Sequence, residues 1–209
     1  MTMRSDARRN QARILAAARE VFAAQGIEAP LAEVARQAGV GIATLFRRFP
    51  TREALIAAVF GARMTAYADA VDVALADPDP WRAFCGYIET ICAMQAEDRG
   101  FTDVLTMTFP GAEALECDRT RAYDGLVTLI RRAQEAGRLR ADFVPEDLVL
   151  VLMANAGVVT ATGDAAPDAW RRVVAYLLQS FRADGAEPLP APPSPRGIYR
   201  AMLRAKRRC

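Results

Sequence analysis

Apolar side chains recur at helical spacing from near the start of the chain. In residues 5–25 they fall on one face of a predicted helix, at Ile14, Leu15, Ala18, Val21 and Phe22. Two short helices are predicted next, over residues 30–38 and 42–49. A Gly-Val-Gly turn at residues 39–41 separates them, and Pro50 stops the second. The chain therefore begins with three helices, of which the last two flank a tight turn.

Helical periodicity continues to about residue 181. Thr51 is expected to cap a long helix, and prolines at positions 80, 145 and 167 are placed to start later ones. We find no alternating strand pattern of convincing length and no internal repeat. The predicted helices cover residues 51–76, 80–100, 101–108, 112–136, 145–159 and 167–181. This pattern predicts an all-α fold.

Charge is distributed unevenly, although the formal net charge is only +2. Residues 1–60 carry a net charge of +4, residues 61–187 carry −8 and residues 188–209 carry +6. A basic module joined to an acidic body indicates that one end of the protein faces a polyanion. An uneven but solvated surface would give the same distribution, so charge alone does not decide between the two.

The composition changes abruptly after Glu187. Residues 188–195 contain five prolines in eight residues, and six basic residues follow before residue 209. Such a segment is expected to be a disordered tail. The alternative is a basic helix that adds a nucleic-acid contact, with an apolar stripe formed by Ile198, Tyr199, Met202 and Leu203.

Residue types exclude several classes of function. The chain has no histidine, which removes Ser-His-Asp triads, Cys-His pairs and His-containing zinc sites. Its four cysteines show no CxxC spacing, so we predict no disulfide framework, no metal site and no cofactor. The N-terminus shows no secretory signal, and the apolar run 148–161 is interrupted by Asn155 and too short for a membrane span. We therefore expect a cytoplasmic protein without a membrane partner.

One motif carries a specific functional signal. The segment AEVARQAGVGIATLFRRFPTREALIAAVF, residues 32–60, has the dimensions of a helix-turn-helix, whose second helix enters the major groove of DNA. It combines a V-A-x-x-A-G-V turn, a T-L-aromatic-x-x-F recognition helix and a P-T-R-E-A-L start of the next helix. These features resemble the DNA-binding signature of the TetR-type (tetracycline repressor) family of bacterial regulators, over about residues 7–60.

Beyond residue 60 the resemblance is one of architecture. It implies an N-terminal helix-turn-helix module of three helices over residues 1–50 and a C-terminal helical ligand-binding and dimerisation body over residues 51–184. The Pro-rich basic tail then covers residues 185–209.

The resemblance also places DNA contacts on the outer side of the recognition helix. Arg47 is the predicted base-reading residue, because a guanidinium can bind guanine O6 and N7 together. Thr44, Arg48 and Arg52 are expected to hold phosphates. The family usually has tyrosine where this chain has Phe46, so one phosphate-bonding hydroxyl is missing. The full predicted set is Gly41, Ile42, Ala43, Thr44, Phe46, Arg47, Arg48 and Arg52.

An effector cavity among the central helices is implied by the same resemblance. Its predicted lining is Phe84, Tyr87, Ile88, Met94, Met107, Phe109, Tyr123, Leu126, Met153 and Asn155. Because none of these is histidine or lysine, we expect a neutral, mostly apolar small molecule that Tyr87 or Asn155 orients. Cys85 and Cys92 stand seven residues apart on one helix face, and we interpret them as buried apolar residues rather than oxidant sensors.

A homodimer interface is predicted in the last two core helices. Residues 148–159 are apolar on every side and residues 170–181 carry a second apolar stripe, so two copies would form a four-helix bundle. Such a dimer would set its recognition helices about 34 Å apart, one turn of DNA. The predicted interface residues are Val151, Val158, Trp170, Val174, Leu177, Leu178 and Phe181.

Together these features predict a ligand-responsive transcriptional regulator. It would be a repressor that a small molecule releases from a palindromic double-stranded DNA operator, through a tilt of the long helix 51–76. The main alternative is a helical small-molecule-binding or sequestering protein without specific DNA recognition. An enzyme is a third hypothesis, for which the sequence offers only scattered carboxylates such as Glu89, Asp98 and Asp103.

Overall fold

The fold is all-α, as the hydrophobic pattern predicts. The computed structural model describes residues 2–107, 109 and 111–205. In this part of the chain no strand forms, and a single isolated bridge joins Leu139 to Arg182. The ten helices are α1 (Thr2–Gln25), α2 (Leu31–Gln37), α3 (Ile42–Arg48), α4 (Arg52–Leu75), α5 (Pro80–Glu97), α6 (Arg99–Thr106), α7 (Glu113–Glu135), α8 (Pro145–Thr162), α9 (Ala169–Ser180) and α10 (Pro195–Ala205).

Side-chain caps fix where the long helices begin. Thr51 Oγ1 accepts a hydrogen bond from Ala54 N over 3.0 Å, which confirms the predicted start of α4. Asp79 Oδ1 accepts from Trp81 N and Arg82 N at the start of α5. Both caps satisfy amide groups that the first turn of a helix leaves without a partner.

The first three helices form the N-terminal module, residues 2–50. Ile14, Val34 and Leu45, one from each helix, are fully buried. The turn between α2 and α3 contains Gly39 in the left-handed region, with φ +62°. A Cβ atom there would collide with the guanidinium of Arg13, whose Nη2 donates to Gly39 O over 3.2 Å. Glycine is therefore required at this turn, and the turn sets the direction of α3.

The remaining core helices form the body, residues 51–184, in which α4 and α7 lie side by side in parallel. Thr65 Oγ1 donates to Asp118 Oδ2 over 2.8 Å, and further along both helices Arg132 Nη1 donates to Leu75 O over 2.8 Å. Between these points a Cβ at Gly125 would lie only 2.5 Å from an α4 side chain. The missing side chain at Gly125 lets the two helices approach closely.

Two elements of the body also contact the module. α6 packs against α1, and α4 contacts α1 directly. Within the body, α5 packs against α4, α6, α7, α8 and α9 and so occupies its centre. α4 and α6 therefore form the main contacts between the body and the module.

The prediction of a disordered tail is wrong for residues 195–205, which form α10. Ile198 and Met202 are only 8% and 7% exposed, because they lie in a groove of the body. The apolar stripe that the sequence suggested for Ile198 and Met202 therefore exists, but it faces the protein. The composition of the tail gave no sign of this partner, since the groove is formed by distant parts of the chain.

Candidate functional site

The outer face of α3 presents the residues predicted to contact DNA. Leu45 and Phe49 are buried on the inner side of this helix, which turns its other side outward. Thr44 is half-buried, and the exposed residues are Gly41, Ile42, Ala43, Phe46, Arg47 and Arg48. The structure thus brings seven of the eight predicted residues to one surface, and their contact with DNA stays a prediction.

Helix α1 extends this surface beside α3. Arg48 Nε donates to Gln11 Oε1 of α1 over 3.0 Å, which holds the guanidinium against the neighbouring helix. A depression between the two helices is lined by Asn10, Gln11, Ile14, Thr44, Arg47 and Arg48. Arginine and amide side chains are the donors that bind phosphates and base edges, so the composition of this surface suits a DNA duplex.

Arg52, a predicted phosphate contact, has a structural role within the protein. Its Nη1 donates to Ile27 O over 2.6 Å and to Ala29 O over 2.8 Å, and its side chain is half-buried. Both carbonyls belong to the turn between α1 and α2. Arg52 therefore fastens the module to the start of α4, and its contact with a DNA phosphate stays a prediction. The sequence gave no sign of these carbonyls, because they come from a turn more than twenty residues away.

A cavity of about 340 Å³ lies in the body between α4, α6, α7, α8 and α10. Its walls are mostly apolar. Tyr67 of α4 and Leu105 of α6 contribute one side, and Leu148, Val149 and Leu152 of α8 contribute another. α7 supplies Glu116, Arg119, Tyr123 and Leu126. A mostly apolar cavity of this size with a few polar groups is typical of a small-molecule site.

Arg119 is already paired at the polar end of the cavity. Its Nη2 donates to Val104 O and Met107 O, each over 2.8 Å, and its Nη1 donates to Leu105 O over 3.2 Å. Its Nε lies 3.3 Å from Glu116 Oε2. Glu116 balances the positive charge of Arg119, and the Nη groups of Arg119 already donate to three carbonyls. The arginine therefore offers little to an anionic ligand.

Only two of the ten predicted cavity residues, Tyr123 and Leu126, line this cavity. The other eight lie outside this lining, most of them buried between helices, and their contact with an effector stays a prediction. They are Phe84, Tyr87, Ile88, Met94, Met107, Phe109, Met153 and Asn155.

Phe84 packs against two other aromatic rings in the core. Its ring centroid lies 5.3 Å from that of Phe143 and 6.5 Å from that of Phe181, and Phe143 and Phe181 are 4.9 Å apart. Edge-to-face contacts of this kind fill the space between α5 and the end of α9. Phe84 therefore has a packing role in the core.

Asn155 is likewise a structural residue. Its Nδ2 donates to Cys92 O over 3.1 Å and to Gln95 Oε1 over 2.9 Å, so it fastens α8 to α5 and does not reach the cavity. Burial raises the pKa of Cys85 and of Cys92 to about 12. Both side chains are therefore thiols at neutral pH, which agrees with their interpretation as apolar residues rather than oxidant sensors.

Some of the cavity residues that the sequence analysis did not predict could have been found from their spacing, and others could not. Glu116 and Arg119 share a face of α7 with Tyr123 and Leu126, because the four are spaced by three, four and three residues. That spacing is visible in the sequence. Tyr67 has no such signal. Its ring centroid lies 6.3 Å from that of Tyr87, and only the packing of the two rings shows that Tyr67 lines the cavity and Tyr87 does not.

The predicted dimer interface lies on α8 and α9. α9 packs back onto α5 and α8, so much of its apolar stripe is covered within one chain. Five predicted interface residues are buried in this way, and their contact with a second copy stays a prediction: Val151, Trp170, Val174, Leu178 and Phe181. Val158 and Leu177 stay half-buried. The uncovered face of α8 lies elsewhere on the helix, at Leu150, Ala154, Gly157 and Ala161.

Two helical stretches in the described part of the chain are long and apolar enough to cross a bilayer by length and composition alone, Arg52–Leu75 and Pro145–Ala165. In the first, 44% of the apolar window is buried inside the protein, as in a core helix. In the second, the buried share is only 22%. The apolar surface of α8 is therefore larger than one chain covers, and the expected absence of a membrane partner stays a prediction.

α6 connects the cavity with the N-terminal module. At its far end it is capped by Arg119, as described above. Asp103 Oδ2, on the same helix, accepts a hydrogen bond from Ile27 N over 3.1 Å, in the turn between α1 and α2. Asp98 Oδ1 accepts from Phe101 N over 3.1 Å and caps the start of α6. These carboxylates therefore serve backbone amides, and among the described residues no group of three acidic or cysteine side chains could hold a metal ion.

Two family models match the chain. The model described as bacterial regulatory proteins of the tetR family matches residues 14–59, and the C-terminal domain of SbtR-like transcriptional regulators matches residues 79–183. The first match covers the recognition surface, and the second covers the helices from α5 to α9. No curated protein matches the chain in sequence.

Solved structures of regulators are similar over most of the chain. A TetR transcriptional regulator from Streptomyces coelicolor is 29% identical over 84% of this chain and 99% of its own, with a TM-score of 0.51. A TetR regulatory protein from Mycobacterium vanbaalenii is 30% identical over 86% and 99%, with a TM-score of 0.47. The regulator FadR from Bacillus subtilis, in complex with stearoyl-CoA, shares the fold at 15% identity, 84% and 99% coverage and a TM-score of 0.59.

Proposed function

The chain belongs to the TetR family of bacterial regulatory proteins and is a ligand-responsive, DNA-binding transcriptional regulator, and we propose that it is a cytoplasmic repressor released from a palindromic operator by a neutral apolar effector. The observation that carries the proposal is the outer face of α3. Arg47 and Arg48 are exposed there, and Thr44 and Gln11 add hydrogen-bonding groups beside them. Arg47 reads a base, while Thr44 and Arg48 bind phosphates.

Dimerisation is expected of the family, and we place the interface on the uncovered face of α8. Leu150 is 43% exposed, and Ala154, Gly157 and Ala161 follow it at spacings of four, three and four residues. Small residues at this spacing let a second helix approach closely. On α9, Leu177 is half-buried and Tyr176 is exposed, and we add both to the proposed interface. A homodimer formed here would present two recognition helices to two halves of a palindrome.

The cavity between α7, α8 and α10 is the proposed effector site. Its walls are apolar and its arginine is balanced by Glu116, so it suits a neutral molecule with at most one or two polar groups. Tyr123, which is 49% exposed at this cavity, can hydrogen-bond one of them. The stearoyl-CoA bound by FadR is far larger and strongly anionic, so that ligand does not transfer to this chain.

α6 is the proposed route from the cavity to the recognition helix, together with the long helix α4. A ligand that displaces Arg119 frees three carbonyls at the end of α6. Movement of α6 acts on the hydrogen bond between Asp103 and Ile27, and Arg52 holds the same turn from α4. Effector and operator then favour different positions of the module, and each must weaken the binding of the other by the same factor.

Selection of bound sequences from a pool of random duplexes tests the function. The full chain is expected to enrich one palindromic sequence and to bind it at least about a thousandfold more tightly than random DNA at physiological salt. The Arg47→Ala variant should lose part of this preference while keeping its melting temperature. Equal binding of selected and random duplexes at every salt concentration would instead identify a sequestering protein without specific DNA recognition.

A further inference from the structure

The segment that follows α9 is fastened to the body by two side chains. Arg140 is only 7% exposed and donates from Nη1 to Ser180 O over 3.3 Å and from Nη2 to Glu187 O over 2.5 Å. Asp142 Oδ2 accepts from Leu189 N over 3.1 Å. These bonds fix the start of the Pro-rich segment beside the loop that leads into α8.

α10 has two chemically different faces. Ile198 and Met202 are buried towards the cavity, and Tyr199 lines its edge. Arg196 and Arg200 are exposed on the other side and do not line the cavity. α10 is therefore an amphipathic helix that closes one side of the cavity with its apolar face and exposes its charged face to solvent.

The other walls of the cavity are core helices, each packed against several neighbours, whereas α10 packs mainly on α8. A helix with few packed partners opens at a lower free-energy cost than the helices of the core. The seven residues between Glu187 and the start of α10, residues 188–194, provide the slack for such movement. α10 is therefore the wall through which a ligand passes most easily.

We propose that α10 is a removable wall of the effector cavity: a neutral apolar effector passes when α10 lifts and is then held by Ile198, Tyr199 and Met202. The inference rests on the proposed function of the cavity as the effector site. It assigns to the C-terminal segment a role in ligand affinity and residence time, and it makes that segment dispensable for binding operator DNA.

The neutral fluorophore N-phenyl-1-naphthylamine serves as the probe, because its emission rises in apolar surroundings. Truncation of the chain after Glu187 should lower probe affinity about tenfold or more and speed its dissociation, since two buried apolar side chains are lost from the site. The double variant Ile198→Asp, Met202→Asp should do the same with the full chain length. Both variants should retain the melting temperature of the body and the affinity for operator DNA.

The matched control is Arg196→Ala, Arg200→Ala, which changes α10 only on its outer face. Its probe affinity and dissociation rate should equal those of the unaltered chain. A second variant, Val149→Trp, fills the cavity from α8 and should abolish probe binding.

The outcomes separate the two proposals. Undiminished probe binding by Val149→Trp, or no probe binding by the unaltered chain, overturns the cavity as the effector site and this inference with it. Loss of binding in Val149→Trp, combined with unchanged affinity and dissociation in the truncated chain, overturns the role of α10 alone.

Discussion

The N-terminal module and the body differ in the sequence separation of the residues that form their functional surfaces. In the module, the face that carries Thr44, Arg47 and Arg48 depends on a single glycine turn and on helices within about fifty residues. In the body, the cavity gathers side chains from Tyr67 to Met202 on five helices. The first surface is an outward face of one short helix, whereas the second is a gap left between packed helices. A local surface can be read from periodicity, and a gap cannot.

The largest expected effect is in the module, at Gly39. A valine there would adopt a left-handed φ that β-branched residues avoid and would meet the Arg13 guanidinium, so Gly39→Val should lower the free energy of unfolding of the module by about 3 kcal/mol. Specific DNA binding should be lost with it. The control is Gly41→Ala, since Gly41 has φ −67° and open space around its Cβ position. Chemical denaturation of both variants measures the difference, and equal stability would show that the turn does not set α3.

Gly125 tests whether the body depends on equally close contacts. A methyl group at this position would lie 2.5 Å and 2.6 Å from the two Cγ atoms of Val71, so Gly125→Ala should destabilise the body by about 2 kcal/mol through overpacking of α4 against α7. In Gly86→Ala the new methyl group meets open space, and helix propensity should instead stabilise the protein by up to about 1 kcal/mol. Thermal unfolding of the two variants distinguishes them. A stabilised Gly125→Ala variant would contradict the close approach of α4 and α7.

Arg47 and Arg52 separate recognition from structure within one motif. Arg47→Ala should leave stability unchanged and weaken the selected operator by about 1–3 kcal/mol relative to random DNA. Arg52→Ala should lower the free energy of unfolding by about 1 kcal/mol, because the carbonyls of Ile27 and Ala29 lose a charged donor that is partly screened by solvent. Denaturation measures the free energy of unfolding of each variant, and DNA titration measures its affinity for the operator. A loss of DNA affinity in Arg52→Ala at unchanged stability would instead identify Arg52 as a phosphate contact.

The smallest expected effect concerns the hydrogen bond by which Asp142 holds Leu189 of the C-terminal segment. The Arg140 guanidinium, followed by the Leu189 amide, lowers the pKa of Asp142 to about 2 from its usual value near 3.8. Because the folded-state pKa is depressed, the contribution of Asp142 is fully present above pH 3.8 and is lost as the pH falls through about 2. The amide signal of Leu189 in an NMR titration should therefore shift with a midpoint near pH 2. A midpoint near 3.8 would show that Asp142 does not hold this segment.

The two regions also differ in how far the sequence predicts them. The helix-turn-helix spacing, the cap at Thr51 and the exposed side of α3 all follow from local patterns, and the structure agrees with them. Arg52 is the exception in the module, because its partners are carbonyls that no side-chain pattern reveals. Local reasoning therefore predicts which residues of a short helix face outward, but not which of them are already bound.

In the body the helices were predictable and their contacts were not. Phe84 and Asn155 have the residue types of a ligand site, yet they pack or hydrogen-bond between helices. An apolar residue that lines a cavity and one that fills a core have the same pattern in the sequence, because both are turned away from solvent. α10 adds a further reason: a proline-rich, basic segment has the composition of a disordered tail until a groove elsewhere provides its partner.

In the proposed function, the cavity of the body controls DNA binding by the module. Val149→Trp tests it most directly, because it occupies the cavity without changing any residue of the module, and Val127→Trp is a control on the exposed side of α7 outside the cavity. The measurement is the affinity of each folded variant for the selected operator. Val149→Trp, having lost probe binding, should bind operator about 5- to 150-fold more weakly than the unaltered chain, while Val127→Trp should bind normally. Unchanged operator affinity in a Val149→Trp variant that no longer binds the probe would show that the cavity does not control DNA binding.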